Sequence, residues 1–320
     1  MSKEALRTPA KYDPPRYSDP DDLRLVQIVR QADKSMPRSV NIVGVPYDGA
    51  VLGRKGAEGG PSGIRHAMSG FSNYDVDKRI GLSAGRFFDL GDIVVEGGVL
   101  DVHSQIEREV GRCLRDDSLL AILGGDNSVS LPALRAFGER FGETGLLVID
   151  SHLDLRGKIG GKPTSGSSYG LAVETVKGLS PRRVAEVGIH GFLNSQAYAE
   201  KAEKLGIRVV TAGEVRKAGP LAVAEEAWSV VSRGSDAVYL SVDADAVDLA
   251  QVSGVSAPSA GGIDSVELFE MVRWITRQAK VKCADIVEVA PSLDPTGRSS
   301  IVAATALVEM LAGFQGRSPD

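Results

Sequence analysis

LLVIDSHLDLR, residues 146–156, begins as a buried strand and ends in a way that a strand interior does not tolerate. Leu146 to Ile149 are four apolar residues in a row, the pattern of a strand covered on both faces. Asp150, His152 and Asp154 follow at alternate positions, so an extended backbone aims all three polar groups to one side. Taking carboxylates out of water without a partner costs several kcal/mol, comparable with the stability of a whole domain. These groups must therefore be solvated, paired, or wrapped around a cation.

Working outward, the same kind of apolar run recurs: VNIVGVPYDG (40–49), RFFDLGD (86–92), LLAILGGD (119–126), RVAEVGIH (183–190), IRVVTA (207–212), AVYLSVDAD (237–245) and VKCADIVEV (281–289). Helical stripes lie between them. Asp264 with Glu267 forms a capping-box start to a stripe of Leu268, Val272 and Ile275, and Ser130 with Pro132 opens a helix carrying Leu134, Phe137 and Phe141. Alternation of this kind predicts a single α/β domain over 36–320, three layers deep, around a mostly parallel eight-stranded sheet. Residues 1–35, proline-rich and mixed in charge, read as an extended N-terminal arm. No internal repeat or low-complexity block interrupts the pattern.

Composition narrows the function. The 320 residues carry 37 basic and 42 acidic side chains, a formal charge of −5, so no broad cationic face recruits nucleic acid. The N-terminus lacks the apolar core of a signal peptide, and no apolar run approaches the roughly 20 residues that span a bilayer. A soluble, cytoplasmic chain without membrane contact is expected. The two cysteines, Cys113 on a helical stripe and Cys283 in a strand, read as core thiols.

In a parallel sheet the ligand crevice lies beyond the carboxyl ends of the strands. There the sequence stores acid: Asp126; Asp150, His152 and Asp154; Asp243, Asp245 and Asp248; and Glu288. Taken singly, SVDADAVD is a solvated loop and DSHLD a capped turn. Gathered at one edge, seven carboxylates repel one another unless divalent cations neutralise them. Oxygen-rich ligands with one imidazole and no thiolate suit Mn2+ or Mg2+ better than zinc, with Ni2+ and Fe2+ as alternatives. Two ions sharing carboxylates account for more of the groups than one does.

GGDNS (124–128), DSHLD (150–154) and SVDADAVD (241–248) resemble the three signature motifs of the ureohydrolases, the superfamily of arginase, agmatinase and formimidoylglutamase. GVPYDGAVLGRKGAEGGPSGIR (44–65) is similar to its glycine-rich motif, GVSAPSAGGI (254–263) to its substrate-side loop, and DIVEVAPSLDPTGRSSIVAATAL (285–307) to its last strand and helix. The resemblance implies an arginase-like fold and a pair of Mn2+ ions per subunit. It also implies hydrolysis of a C–N bond in a linear amidine, and a homo-oligomer, trimer or hexamer. Carried over by position, Asn127, Asp150, His152, Asp154, Asp243 and Asp245 stand at the metal-ligand places. Asn127 departs from the usual His, and its neutral amide is the weaker ligand, so one metal is expected to be held loosely. Asp126 is expected to orient the site rather than ligate.

Arg156 lies two residues past Asp154, and GKIGGKPTSGSSYG (157–170) reads as a mobile loop adding Lys158 and Lys162. Local positive charge suits a substrate carboxylate, which Arg binds bidentately. Within the resemblance, D-L-R points to formimidoylglutamases. Ser165 stands where agmatinases carry His, and a serine does not shuttle protons as imidazole does. Asp154 is therefore the expected proton donor and Glu288 the acid facing the nitrogenous end of the substrate; Arg156, Ser165, His190 and Glu288 are expected to bind it. His66 and His103 read as structural. The leading expectation is conversion of N-formimidoyl-L-glutamate and water to L-glutamate and formamide, as in histidine breakdown. The alternatives are an agmatinase or other guanidino-acid hydrolase that releases urea, and an idle family member serving as a binding or assembly subunit.

Overall fold

A computed structural model describes residues 6–7, 12 and 19–317. All eight expected strands form: β1 Val40–Gly44, β2 Phe87–Ile93, β3 Leu119–Leu123, β4 Thr144–Ile149, β5 Leu179–Ile189, β6 Arg208–Thr211, β7 Ala237–Asp243 and β8 Val281–Val287. They pair in the order β2-β1-β3-β8-β7-β4-β5-β6, every neighbour parallel. Two short outer strands extend the sheet at β2, Val29–Gln31 parallel to it and Leu6–Arg7 antiparallel. Both come from the segment read as an arm. Leu25 and Ile28, in a helical turn just ahead of Val29, are fully buried, so their apolar side chains outweigh the proline-rich character around them.

Alternate residues of each strand feed two apolar layers. Leu147 and Ile149 of β4 join the layer beneath helices Gly60–Met68, Pro220–Val231, Ser265–Thr276 and Arg298–Gln315. Leu146 and Val148 join the opposite layer, beneath Val99–Cys113, Ser130–Phe141 and Ser168–Thr175. Burial on both faces is why the strands read as continuous apolar runs. The capping box appears as expected: Asp264 Oδ1 accepts from Val266 N at 2.8 Å, and Glu267 Oε2 from Asp264 N at 2.8 Å. Cys113 and Cys283 are free and buried, and His103 is buried in its helix. Among the described residues no helix is long and apolar enough to cross a membrane.

The segment 157–170 differs from expectation. Ser165–Ser167 is a 3-10 turn and Ser168 begins a helix, with Thr164 N donating to Ser167 Oγ at 2.8 Å and Ser167 Oγ donating back to the Thr164 carbonyl at 2.8 Å. Ser167 acts as a local backbone cap, a role that composition alone presents as loop.

Candidate metal centre

The carboxyl ends of β3, β8, β7 and β4 are adjacent in the middle of the sheet, and each delivers acidic or amide side chains to one place. From the end of β4 come Asp150, His152 and Asp154; from β7 come Asp243 and, through the 3-10 turn Ala244–Ala246, Asp245; β3 gives Asp126 and Asn127, and β8 gives Glu288. His152, Asp154, Asp243, Asp245 and Glu288 form the floor of a cavity of about 260 Å3, whose walls include Leu52, Arg156, Ser165, Leu193 and Ser256; Asp126, Asn127 and Asp150 lie outside that lining.

Asp150, His152 and Asp245 each bring a ligand atom within 4.8 Å of the others. His152 Nδ1 lies 3.2 Å from Asp245 Oδ2 and 3.6 Å from Asp150 Oδ1. Ser151 Oγ donates to Asp245 Oδ1 at 2.7 Å, Asp245 N donates to Asp243 Oδ1 at 2.8 Å, and His152 N donates to Asp150 Oδ1 at 2.7 Å. One oxygen of most of these carboxylates is thus held by backbone or hydroxyl donors, which fixes where the other oxygen points.

The electrostatics expose a deficit of positive charge. Burial, followed by repulsion from Asp245, lifts Asp150 to about 6. Burial lifts Asp154, Asp243 and Glu288 well above the carboxylate range, with neighbouring acids adding to it. Burial alone lowers a histidine, yet hydrogen bonds and attraction from Asp150 and Asp245 drive His152 up to about 12 in the absence of a cation. Asp245, in spite of burial, is held below the usual range by His152 and Ser151. Asp150 Oδ2 and Glu288 Oε2 are buried without a hydrogen-bond partner among the described residues. Orphaned carboxylate oxygens around a single imidazole are what a divalent cation with hard oxygen ligands requires, so the donor set fits one.

Two backbone conformations support the placement. Asp154 (φ 46°) and Glu288 (φ 66°) lie in the left-handed region that L side chains seldom adopt, strain of order 1–3 kcal/mol each. Both are carboxylates that face the cavity. Close approach matters at Gly125, where a Cβ would fall 1.7 Å from the Tyr47 carbonyl oxygen. Only glycine lets the GGDNS turn press against that loop.

Asn127 does not present itself as the expected oxygen ligand. Its amide nitrogen donates to Asp154 Oδ2 at 2.5 Å, while its oxygen accepts from Ser130 Oγ at 3.1 Å and the Tyr169 hydroxyl at 3.2 Å. Two buried hydroxyl donors behind the amide leave the NH2 end facing the site, so in this arrangement the residue serves Asp154. Asp126 has both oxygens occupied, by Ser128 N and Ala50 N at 2.9 Å each, which suits orientation of the glycine-rich loop.

Arg156 and Ser165 line the cavity. The Arg156 guanidinium sits over the Tyr198 ring at 5.4 Å, with no carboxylate paired to it among the described residues. Ser165 Oγ accepts from Leu52 N at 3.1 Å. His190, expected at the substrate, stands outside the lining: its Nδ1 lies 2.8 Å from the Gly188 carbonyl of β5 and its Nε2 2.8 Å from Ser259 Oγ, so the ring ties the end of β5 to the 254–263 loop. Lys158 and Lys162 are exposed and away from the cavity. Leu52, Leu193 and Ser256 line the site without having been singled out, since a backbone turn into a cavity leaves no residue-type signal.

The arginase family model matches residues 38–313. A formimidoylglutamase of Halalkalibacterium halodurans is 32% identical over 275 residues, 85% of this chain and 86% of the relative. The crystal structure of formimidoylglutamase from Bacillus subtilis superposes with a TM-score of 0.89 at 29% identity, covering 94% of each chain. Formiminoglutamase of Trypanosoma cruzi, solved with Mn2+2, gives a TM-score of 0.85 at 27% identity over 93% of this chain and all of that one.

Proposed function

The chain belongs to the arginase family, and from that premise we propose that it is a formimidoylglutamase, converting N-formimidoyl-L-glutamate and water to L-glutamate and formamide. The observation that carries the reading is the Arg156 guanidinium. It faces the cavity without a carboxylate of its own, across from the acidic floor. A substrate with a carboxylate at one end and a basic C=N group at the other complements both ends at once.

Asp150, His152, Asp154, Asp243 and Asp245 would hold a pair of Mn2+ ions. When bound, such ions neutralise the carboxylates, lower the pKa of water to near neutrality and polarise the group under attack. The chain's own residues do the rest. Arg156 anchors the substrate carboxylate. Glu288, held by Asn127 N at Oε1 (2.7 Å), offers its free Oε2 to the amidinium. Water adds to the formimidoyl carbon, and the bond from that carbon to the glutamate nitrogen breaks. The added water gives its proton to Asp154, which Asn127 Nδ2 steadies through Oδ2, and Asp154 passes that proton to the leaving nitrogen. The apolar wall of Leu52 and Leu193 passes the methylene chain between the two ends. A cytoplasmic homo-oligomer belongs to the same reading.

Product analysis decides it. The protein, loaded in turn with Mn2+, Ni2+ and Fe2+, is given formimidoyl and guanidino compounds with and without a carboxylate. Formamide and glutamate from N-formimidoyl-L-glutamate are expected. Urea from a guanidino compound as the main product would replace this reading with a guanidino-acid hydrolase, and no turnover by folded, metal-loaded protein would replace it with a non-catalytic subunit.

A further inference from the structure

The short segment after β5 touches both ends of the site. Leu193 lines the cavity. Asn194 reaches back to the turn that carries His152 and grips its backbone on either side: Asn194 Oδ1 accepts from Leu153 N at 2.8 Å, and Asn194 Nδ2 donates to the Ser151 carbonyl at 2.9 Å. A carboxamide is the one short side chain that offers a donor and an acceptor side by side, as this grip requires. Ser195 then caps the helix Gln196–Leu205, its Oγ accepting from Tyr198 N, and that first turn presents the Tyr198 ring beneath the Arg156 guanidinium at 5.4 Å. On its other flank Arg156 lies against Gly166, where an added Cβ would sit 3.0 Å from Arg156 Cδ.

We propose that Asn194 and Tyr198 are positioning residues that act as a two-point brace. Asn194 sets the backbone that aims His152, and Tyr198 sets the guanidinium of Arg156, so one rigid helix start fixes the span between the acidic floor and the carboxylate anchor. That span determines the length of substrate the cavity accepts. The brace rests on the proposed function for its Arg156 end only; the Asn194 end concerns cation binding alone.

Asn194→Ala leaves Arg156 and Tyr198 in place but frees the His152 turn. Mn2+ titration by calorimetry, without substrate, should show about 10- to 100-fold weaker binding, the scale on which the loss of an orienting partner acts. Asn194→Asp, which keeps the acceptor for Leu153 N and loses the donor to Ser151, should fall between the two. Tyr198→Leu should leave Mn2+ affinity unchanged and raise KM about two- to fivefold at saturating metal, with kcat retained, whereas Tyr198→Phe keeps the ring face and should restore the parent KM. Tyr198→Leu should also blunt the preference for glutamate over a shorter or longer dicarboxylic analogue. Unchanged Mn2+ affinity in folded Asn194→Ala, or a Tyr198→Phe variant as impaired as Tyr198→Leu, overturns the brace. If no compound is turned over, the proposed function falls, while the calorimetric series on Asn194 still decides its half of the brace.

Discussion

Replacing Arg156 with Met keeps a long apolar stem against Tyr198 and Gly166 and deletes the charge that faces the cavity. Arg156 is exposed and makes no ion pair among the described residues, so the substitution strands no buried partner and should leave the fold intact. What is lost is a charge-assisted, two-pronged hydrogen bond to the substrate carboxylate, worth about 1.5–3 kcal/mol. At about 1.4 kcal/mol per factor of ten, kcat/KM for N-formimidoyl-L-glutamate should drop roughly 10- to 150-fold. The loss should appear mainly in KM, because the anchor holds the ground state and the transition state alike. Arg156→Lys should recover part of it, since ammonium is a point charge without the planar fork. Steady-state kinetics at saturating Mn2+ would use two substrates, formimidoylglutamate and an N-alkyl formamidine with no carboxylate. A loss is expected for the first and none for the second. An unchanged kcat/KM for formimidoylglutamate, or an equal loss for both, refutes the assignment of Arg156 as the carboxylate anchor.

Three further perturbations probe other parts of the molecule. Asn127→His exchanges the two hydroxyl bonds behind the amide for an imidazole nitrogen facing the site, and Mn2+ titration should show the weaker of two binding steps tightened; identical isotherms would remove the account of this position. Arg65 is buried and forks onto Asp89 at 2.8 and 2.9 Å and reaches Asp92 at 2.6 Å, so Arg65→Met should cost about 3–5 kcal/mol in urea denaturation, and a cost under about 1 kcal/mol would show the pair to be dispensable. Burial, with a lesser contribution from Arg135, lowers His103 from 6.5 to about 4, so between those pH values the unfolded chain binds the extra proton and the stability contributed by neutral His103 is lost as pH falls through the window. At 1.36 kcal/mol per pH unit this amounts to as much as about 3 kcal/mol, and His103→Gln should flatten the stability curve between pH 6.5 and 4 by a comparable amount; superimposable curves for the two proteins contradict it.

The strands and the acidic floor were legible because both are written in local patterns. Four-residue apolar runs mark strands buried on both faces, and Asp150, His152 and Asp154 follow directly where β4 ends. What escaped the sequence depends on contacts distant along the chain. Whether Asn127 turns its oxygen or its nitrogen to the site is decided by Tyr169, which is 42 residues away. His190 is drawn off the substrate by Ser259, 69 residues on. Ser165 to Ser168 read as loop by composition, yet the Ser167 hydroxyl pairs with both backbone groups of Thr164 just ahead of the helix start. Leu25 and Ile28 stand in a short, mostly apolar run, 23–29, flanked by charged residues and too brief to show periodicity.

The strand order carries a consequence for biosynthesis. β8, drawn from residues 281–287, is threaded between β3 and β7, both of which are made before it. Until that late segment leaves the ribosome, a gap stands in the centre of the sheet and Glu288 is missing from the floor, so a nascent chain exposes unpaired strand edges on both sides of an unfinished acidic bowl. At about 5–20 residues per second, the roughly 40 residues between β7 and β8 take about 2–8 s to emerge. The residues that would hold the cation are thus made before the strand that completes the sheet beneath them, and the acid offered to the amidinium arrives last.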